Sequence, residues 1–300
     1  MTSSRTILVT GSSSGFGHVT STTLARRGHR VFASMRDVGT RNAATAKALE
    51  QVAADEHLEL SVLELDVCDD GSVNAAVESI IGEAGQLDVL INNAGAGIHG
   101  ILETISVEQA RELFETNVHS VLRMNRAVLP HMRNRGSGLL IHISSGLARL
   151  MLPFNGIYSA TKCALEALAE AYRYELASVG VDSIIVEPGV YATGFFEAAE
   201  ARRPADAHRA GGYGDLYELS LDMASRRPPA GDPAEVAEAL AELIEMPAGT
   251  RPLRTTVGWA AQRADRLNET ALELHRTVFE QTGMSDVVTL APANAETQEA

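Results

Sequence analysis

A tyrosine and a lysine four positions apart, Tyr158 and Lys162, are the pair best suited to acid/base chemistry in this chain. If the segment after Asn155 is helical, both side chains lie on one helix face about one turn apart. A free tyrosine has a pKa of about 10, and a neighbouring cation favours the phenolate and lowers that value. A hydroxyl from Ser145, at the end of an apolar strand, could bind the oxygen that Tyr158 protonates. The plain alternative is a surface Tyr and Lys on an amphipathic helix.

The elements that must position these groups begin near the amino terminus. Residues Arg5 to Thr10 form an apolar run that predicts a strand covered on both faces, and a helix is predicted from His18 to Arg27. Glycines between them let the backbone approach a ligand, and the helix start offers unpaired N–H groups to a phosphate. A glycine-rich turn without a ligand is the alternative. We expect these loop residues to bind a dinucleotide: Gly11, Ser12, Ser13, Ser14, Gly15, Phe16 and Gly17.

The end of the second predicted strand, Arg30 to Ser34, bears on the choice of nicotinamide cofactor. In dinucleotide-binding folds a carboxylate at this point binds both ribose hydroxyls of NAD, whereas an arginine accommodates the 2′-phosphate of NADP. Arg36, helped by Ser12 or Ser13, therefore favours NADP(H), with NAD(H) as the second choice. A shift of one residue in the strand end would make Asp37 the ribose ligand, and a solvated loop arginine is the plain alternative.

A carboxylate follows the third predicted strand, Leu58 to Leu65. Because the carboxyl end of a parallel strand lies on the ligand side of the sheet, Asp66, beside Val67, could accept a hydrogen bond from an adenine amino group. A helix N-cap role is the alternative for Asp66, and Asp69 or Asp70 competes for that role.

Small residues follow the fourth predicted strand, Leu87 to Ile91. Asn93, Ala94 and Gly95 would let a cofactor lie against the chain, and an asparagine side chain here can link neighbouring strands. A plain turn also uses Asn and Gly, so this motif alone leaves both interpretations open.

Taken together, these motifs resemble those of the classical short-chain dehydrogenases/reductases. Thr10 to Gly17 matches TGxxxGxG, Asn92 to Gly95 matches NNAG, and Tyr158 to Lys162 matches YxxxK. Ser145 precedes Tyr158 by the thirteen positions usual in that family. The resemblance runs from about Arg5 to about Thr193 and implies a Rossmann fold and reversible hydride transfer with a nicotinamide cofactor.

The resemblance also implies a catalytic set made of Asn117, Ser145, Tyr158 and Lys162. In the family the tyrosine exchanges a proton with the substrate oxygen, the serine holds that oxygen, and the lysine lowers the tyrosine pKa. The lysine also binds the nicotinamide ribose, so Tyr158 and Lys162 count among the cofactor-binding residues. The asparagine perturbs its helix and holds a water that links the lysine to bulk solvent.

A segment resembling the family's PGxxxT motif follows the predicted strand Val181 to Glu187 and contains Pro188, Gly189, Val190 and Thr193. The resemblance places Thr193 and the backbone near Val190 against the nicotinamide carboxamide. In the family, residues corresponding to Gly194 to Pro233 form a substrate lid, whereas a surface insertion is the alternative. The two long helices predicted at Ser106 to Asn134 and Ile157 to Val179 often pack against a second subunit in the family, which implies a homodimer or homotetramer.

Two stretches, Leu152 to Tyr158 and Val31 to Val38, are similar to the family branch of hydroxysteroid and retinol dehydrogenases. That similarity implies NADP(H) and a hydrophobic alcohol or ketone. The predicted function is therefore an NADP(H)-dependent oxidoreductase that interconverts a ketone or aldehyde with a secondary or primary alcohol. Two alternatives use the same scaffold: a catalytically idle NADP-sensing regulator, and a dehydratase or epimerase.

Composition narrows the partners and the compartment. The 300 residues carry a formal charge of −14, which argues against nucleic-acid or anionic-membrane binding through clustered Lys and Arg. Two cysteines, Cys68 and Cys163, make no disulfide framework, and His142 inside an apolar strand is better explained as a core residue than as a metal ligand. We expect no metal, no membrane span and a cytoplasmic protein.

Alternation of predicted strands and helices continues through Val257, without an internal repeat or linker. This order predicts one α/β domain with a doubly wound (Rossmann) parallel sheet. The expected boundaries are residues 1–283 for the domain, with the lid at 194–233, and residues 284–300 for an acidic, Ala-rich mobile tail.

Overall fold

The computed structural model describes residues 4–225, 230–258, 261–286 and 288–290. Within these residues, seven parallel strands form one sheet in the order β3-β2-β1-β4-β5-β6-β7. This strand order confirms the predicted doubly wound sheet. The strands are β1 Thr6–Val9, β2 Arg30–Met35, β3 Leu60–Glu64, β4 Val89–Asn92, β5 Gly138–Ile143, β6 Val181–Pro188 and β7 Arg254–Val257.

Helices cover both faces of the sheet because successive strand residues point to opposite sides and both sides are apolar. Ile7 and Val9 belong to one buried cluster, whereas Leu8 belongs to the cluster on the other face. The helices are α1 Gly15–Arg26, α2 Ala43–Glu56, α3 Asp70–Ala84, α4 Val107–Phe114, α5 Ser120–Arg135, α6 Gly156–Glu175, α7 Phe195–Ala201, α8 Asp215–Ser225, α9 Ala234–Glu245 and α10 Asp265–Thr282.

The chain reverses its direction of sheet growth at β1, which pairs with β2 on one side and with β4 on the other. In an open α/β sheet a ligand-binding crevice forms at such a switch point, outside the carboxyl ends of the strands. The loops after β1, β2, β4, β5 and β6 all leave from that edge. The motifs found in the sequence are therefore brought to one side of the molecule.

The long helix expected from Ser106 to Asn134 is interrupted. A π-helical turn at Glu115–His119 separates α4 from α5, and Asn117 lies in its middle. Such a turn inserts one residue into the helical ladder and is frequent at functional sites. The helix expected from Ile157 to Val179 also ends early, because α6 stops at Glu175 and a 3₁₀ turn, Ala177–Val179, follows.

None of the helices in the described part of the chain is both long and apolar enough to cross a bilayer. The described residues likewise contain no group of three His, Cys, Asp or Glu side chains that could hold a metal ion. Residues 287 and 291–300, the larger part of the predicted tail, lie outside the described residues.

Candidate active site

The three side chains expected to perform acid/base chemistry meet at the end of β5 and the first turns of α6. Ser145 follows Ile143 by two residues in extended conformation (φ −166°) and caps a 3₁₀ turn, where its Oγ accepts the N–H of Leu147 at 3.2 Å. Tyr158 is buried, and Ser145 is the side chain close enough to lower the pKa of its phenol. The structure thus brings the predicted serine and tyrosine to the same part of the site.

Lys162 lies one turn further along α6, as the spacing predicts. Its ammonium nitrogen Nζ is 5.8 Å from the centre of the Tyr158 ring and donates a hydrogen bond of 2.7 Å to the carbonyl of Ile143. The side chain is only 5% exposed. The ammonium is therefore held between the end of β5 and the tyrosine ring rather than in solvent.

Asn117 links the loop after β4 to α6. Its Nδ2 donates to the Ala96 carbonyl and to Thr161 Oγ1, both at 2.9 Å, and its Oδ1 accepts the Ala96 N–H at 2.8 Å. In a regular α-helix the Asn117 side chain would be displaced from these partners. The π-helical turn Glu115–His119 changes its position and brings it within hydrogen-bond distance of them. Asn117 is buried and bonds to Thr161, the residue before Lys162.

Gly95 shows how tightly these groups surround the loop after β4. A Cβ atom added at Gly95 would lie 3.3 Å from Asn117 Oδ1 and 3.7 Å from Lys162 Nζ. Only a residue without a side chain leaves that space free for a ligand or water. The asparagine and lysine atoms therefore face a common point at the bottom of the site.

Burial controls the ionisation of both titratable groups. It raises the pKa of Tyr158 to about 12, and the hydrogen bond from Ser145 opposes the rise. It also lowers the pKa of Lys162 to about 8, against the opposing charge of Glu166. Desolvation thus dominates the pKa of Tyr158, and Lys162 Nζ is directed at the Ile143 carbonyl; that the lysine lowers the tyrosine pKa stays a prediction. At neutral pH the phenol carries its proton.

The glycine loop after β1 packs against the asparagine segment after β4. Asn93 Nδ2 donates to the Thr10 carbonyl at 2.7 Å, and Thr10 Oγ1 accepts the N–H groups of Asn93 and Ala94 at 2.9 and 3.0 Å. A Cβ at Gly11 would lie 2.9 Å from Ala94 Cα, and one at Gly17 would lie 2.5 Å from Asn93 Nδ2. Both glycines are required by this close contact, and Gly11 also has a positive φ of 71°.

The start of α1 fits the phosphates of a dinucleotide. Ser14 is the N-cap of α1 but makes no side-chain capping bond, so the first N–H groups of the helix are free for an anion. A cavity of about 520 Å³ is lined here by Ser13, Ser14, Gly15 and Thr193, among others. A Cβ at Gly15 would lie 3.3 Å from Thr193 Cβ, which leaves a narrow cleft between the loop and the chain after β6.

Two of the predicted cofactor-binding residues in this loop point inward. Ser12 is fully buried, and its Oγ donates to the Val9 carbonyl at 3.1 Å and lies 3.1 Å from Ser21 Oγ. Its hydroxyl therefore cannot assist Arg36, and the prediction for the Ser12 side chain is corrected. The Phe16 ring packs edge-on against Tyr191 with a centroid distance of 5.4 Å, so only its backbone faces the cleft.

A family profile described as short chain dehydrogenase matches residues 5–204. The chain belongs to this family of oxidoreductases. Three curated relatives were compared. The 3-ketodihydrosphingosine reductase of Bacteroides thetaiotaomicron is 34% identical over 84% of this chain and 87% of its own. Human 17-beta-hydroxysteroid dehydrogenase type 1 is 32% identical over 97% and 88%, and human retinol dehydrogenase 8 is 39% identical over 64% and 60%. These relatives confirm the predicted branch.

Solved structures support the same assignment. A short-chain dehydrogenase from Streptomyces avermitilis has a TM-score of 0.76 and 31% identity, covering 94% of this chain and 98% of its own. A Burkholderia phymatum family member in complex with NAD scores 0.74 at 25% identity, covering 91% and 96%. An alcohol dehydrogenase from Thermococcus sibiricus complexed with 5-hydroxy-NADP scores 0.67 at 25%, covering 85% and 96%. Structural neighbours of this short-chain dehydrogenase thus hold either nucleotide.

Arg36 is the first residue after β2 in this short-chain dehydrogenase, where the sequence placed it. Its exposed side chain lines a cavity of about 870 Å³ together with Cys68 and residues of α4. Asp37 is not among the lining residues; it has a positive φ of 57°. The Asp37 and Val38 N–H groups donate to the Glu64 carboxylate at 2.7 and 2.9 Å. These two hydrogen bonds fix the backbone after β2 and leave the Arg36 side chain facing the cavity.

Asp66 and Val67 lie at the end of β3, next to that cavity. Asp66 Oδ1 accepts the N–H of Cys68 at 2.9 Å, and its own N–H donates to Ser72 Oγ at 2.9 Å. The N-cap of α3 is Asp69, whose carboxylate accepts the Ser72 N–H at 2.6 Å. The N-cap role considered for Asp66 therefore belongs to Asp69, and the second carboxylate oxygen of Asp66 stays open to a ligand.

The segment after β6 runs from the sheet to the glycine loop. Gly189, directly after Pro188, donates its N–H to the Val257 carbonyl at 2.8 Å, and the Val190 carbonyl accepts the N–H of Gly231 at 3.0 Å. These bonds carry Thr193 to the cleft beside α1. The predicted nicotinamide-binding segment and the predicted phosphate loop thus form opposite walls of one groove.

Helix α7 contacts the tyrosine. The Phe195 ring on α7 is 5.3 Å from the ring of Tyr158, and the carbonyl of Ser220 on α8 lies 3.1 Å from His99 Nε2. The lid expected at 194–233 stays a prediction, and its residues 226–229 lie outside the described part. Opening and closing of this segment stay a prediction.

His142 is a structural residue of the core, as the sequence predicted. Its Nδ1 lies 3.3 Å from Asn92 Nδ2 and its Nε2 lies 3.2 Å from Ser183 Oγ. Burial lowers the pKa of His142 to about 3, so the ring is neutral at physiological pH. The imidazole joins neighbouring strands rather than contributing to acid/base chemistry.

Several residues that shape the site were missed from the sequence. Thr10 and Thr161 hold the two asparagines, and Phe195 covers Tyr158. No local pattern distinguishes these residues from ordinary core positions. Glu166 carried a usable signal, because it stands four positions after Lys162 on the same helix face.

Proposed function

We propose that this short-chain dehydrogenase is an NADP(H)-dependent oxidoreductase that interconverts a hydrophobic ketone or aldehyde with the corresponding alcohol. The observation that carries the proposal is the position of Lys162 Nζ, 5.8 Å from the ring of the buried Tyr158 and bonded to the end of β5, two residues before Ser145. A regulator that only senses the cofactor has no need for such a buried acid beside a hydroxyl donor.

The roles of the side chains follow from their contacts. A bound nicotinamide supplies the hydride for reduction. Ser145 holds the substrate oxygen, and Tyr158 donates its proton as negative charge develops on that oxygen. Lys162 binds the nicotinamide ribose and stabilises the phenolate that remains. Asn117, between the loop after β4 and α6, positions the water through which Tyr158 regains a proton.

Arg36 supports the choice of NADP(H). It lines the cavity at the end of β2, where the ribose of the adenosine half is bound in dinucleotide folds, and the adjacent carboxylate of Asp37 does not line it. Ser13 and Ser14 complete the polar surroundings of the 2′-phosphate, and Asp66 accepts from the adenine amino group. NAD(H) is the second choice.

Apolar side chains surrounding Tyr158 support a hydrophobic substrate. Ile98, Ile105 and Leu113 form a buried cluster with the tyrosine, and Phe195 packs against it. Met151 and Leu152, on the strand-to-helix connection before Tyr158, are more than half exposed. The names of the three relatives, a ketosphingosine reductase, a retinol dehydrogenase and a hydroxysteroid dehydrogenase, also refer to hydrophobic compounds.

The subunit assembly and compartment remain predictions: a homodimer or homotetramer in the cytoplasm. Light scattering of the purified protein measures the assembly. A single domain of residues 1–283 is likewise proposed, and limited proteolysis tests whether residues 284–300 are removed without loss of folded protein.

Calorimetry with NADPH and NADH, on wild type and on Arg36→Asp, tests the proposed function. We expect wild type to prefer NADPH and the variant to lose that preference, because the carboxylate repels the 2′-phosphate and accepts from the ribose hydroxyls. Oxidation of NADPH is then followed with a panel of hydrophobic ketones. Preference of the wild type for NADH contradicts the Arg36 assignment, and cofactor binding without turnover on any ketone favours the regulatory alternative.

A further inference from the structure

Behind the catalytic residues lies a buried cluster of carboxylates that the proposed chemistry does not use. Glu166 and Glu170 on α6 and Glu187 on β6 surround the guanidinium of Arg254 on β7. Glu166 is 3% exposed and Glu187 is fully buried. Burying a charged group costs free energy unless the group is paired, so each carboxylate in this cluster needs either hydrogen-bonding and charged partners or a proton.

Glu166 is the member nearest the catalytic residues. Its Oε1 accepts a hydrogen bond of 2.7 Å from the hydroxyl of Ser144, the residue before the catalytic serine. Its Oε2 accepts from Arg254 Nε at 3.0 Å and lies 3.9 Å from Arg149 Nη1. Both oxygens are thus occupied by donors.

Glu187 is held differently. Its Oε2 accepts from Asn268 Nδ2 at 2.7 Å, but its Oε1 is 3.6 Å from Arg254 Nε, beyond hydrogen-bond distance. Burial and the charge of Glu166 raise the pKa of Glu187 to about 7, and Glu187 Oε1 has no hydrogen-bond partner among the described residues. A carboxyl group in this setting takes up a proton more readily than an exposed one.

Glu170 forms the outer end of the cluster. It accepts from Arg254 Nη2 at 2.6 Å and from the Tyr174 hydroxyl at 2.7 Å, and it lies 2.6 Å from His275 Nδ1. Its charge is thus neutralised on the side away from the catalytic lysine. The charged and titratable groups around Glu166 and Lys162 come from six elements: Tyr158, Glu170 and Tyr174 on α6, His142 on β5, Arg149 after β5, Glu187 on β6, Arg254 on β7 and His275 on α10.

Glu166 and Lys162 stand four positions apart on α6, and both are buried. At this spacing their side chains are neighbours on the helix surface. Burial lowers the pKa of Lys162 to about 8, and the charge of Glu166 is what opposes that fall. Without the carboxylate, a lysine in this position loses its proton near neutral pH.

We propose that Glu166 is a positioning residue that keeps Lys162 in its charged form, with Ser144 and Arg254 fixing the carboxylate in place. This inference rests on the proposed function, because the charge of Lys162 affects catalysis only if Lys162 binds the cofactor and stabilises the Tyr158 phenolate.

The sequence offers a direct test, because it contains only two lysines, Lys47 and Lys162. Protein labelled with ¹³C at lysine Cε gives two side-chain signals, and the signal of the exposed Lys47 on α2 serves as an internal reference. We expect Lys162 to titrate well below the pKa of about 10.4 of a free lysine side chain. In Glu166→Gln we expect the titration midpoint of Lys162 to fall by about one further pH unit, because the negative charge that favours the ammonium has been removed.

The matched control is Glu187→Gln, which changes a carboxyl of the same cluster that lies on β6 and not four positions from Lys162 on α6. We expect it to leave the Lys162 midpoint unchanged. In folded Glu166→Gln, an unchanged Lys162 midpoint overturns the proposal, as does an equal fall in both variants. If Glu166→Gln does not fold, the Glu166→Gln/Glu187→Gln double variant is titrated in its place, because Arg254 still pairs with Glu170. The titration needs no turnover, so its outcome is independent of the proposed function.

Discussion

Lys162 Nζ lies over the ring of Tyr158 at 5.8 Å yet gives its hydrogen bond to the carbonyl of Ile143. The cation is thus anchored to the end of β5, and burial raises the pKa of the phenol to about 12. In this arrangement the tyrosine is protonated at neutral pH, which suits the donation of a proton to a substrate oxygen in the reducing direction. The following predictions test this arrangement and the fold that produces it.

Replacing Tyr158 with phenylalanine removes the proposed proton donor and retains the ring that packs against Phe195. We expect kcat for ketone reduction to fall by about 10² to 10⁴-fold, the usual contribution of a positioned general acid. The Kd for NADPH, measured by calorimetry, changes little because the phenol contributes one contact among many. Retention of more than a tenth of wild-type kcat, roughly, contradicts the assigned role.

The charge of Lys162 predicts a pH dependence for cofactor binding. Because burial lowers the pKa of this lysine to about 8, the ammonium is present below that pH and lost as pH rises through it. We expect the Kd for NADPH to increase as pH rises through about 8 in wild type. We expect a Lys162→Met variant to bind NADPH more weakly, with a Kd that does not change as pH rises through this range. An inflection that persists in the variant assigns the titration to another group.

Gly17→Ala tests the contact between the glycine loop and the asparagine segment. The new Cβ would lie 2.5 Å from Asn93 Nδ2 and from the Gly11 carbonyl oxygen, so the loop must shift. We expect a loss of about 1–3 kcal/mol in the free energy of unfolding and weaker dinucleotide binding. Gly39→Ala is the matched control, because no atom lies within 4 Å of its added Cβ. Urea titration and calorimetry measure both effects, and equal behaviour of the two variants contradicts the contact.

We expect the buried His142 to make the stability of the fold sensitive to acid. Its pKa is lowered from about 6.5 in the unfolded chain to about 3 in the folded protein. A lowered pKa means that the neutral core histidine stabilises the fold fully above pH 6.5, roughly, and that this stability is lost as pH falls toward the folded pKa. In this pH window the free energy of unfolding falls by about 1.4 kcal/mol for each pH unit of acidification. We expect His142→Asn to lack that slope in urea titrations from neutral to acid pH, and an unchanged slope contradicts the assignment.

The local patterns of this sequence were sufficient for the sheet and for placing Tyr158 and Lys162 on one helix face. Apolar runs such as β1 and the glycine loop after it are determined by residues that are adjacent in the chain, since burial on both faces and a tight turn are local requirements. The four-residue spacing of Tyr158 and Lys162 has the same local character, because a helix places them on one face whatever surrounds it.

The inward orientation of Ser12 could not be predicted in this way. Serines 12 to 14 look alike in the sequence, and only the position of Ser21 and the Val9 carbonyl shows that the first of them is buried. The interruption of the long helix at Glu115–His119 is similar, because its cause is the contact of Asn117 with Ala96 and Thr161 on other elements.

By itself, the sequence determined the parallel α/β fold, the order of its motifs and which side chains could exchange a proton or bind a dinucleotide. The tertiary structure decided how those groups are ionised and which of them share a pocket. It placed Lys162 against Ile143, buried Tyr158 beside Ser145, and set Glu166 between the catalytic helix and Arg254. The physical reason is that desolvation and charge pairing depend on neighbours from distant parts of the chain, whereas helix and strand patterns depend on neighbours along it.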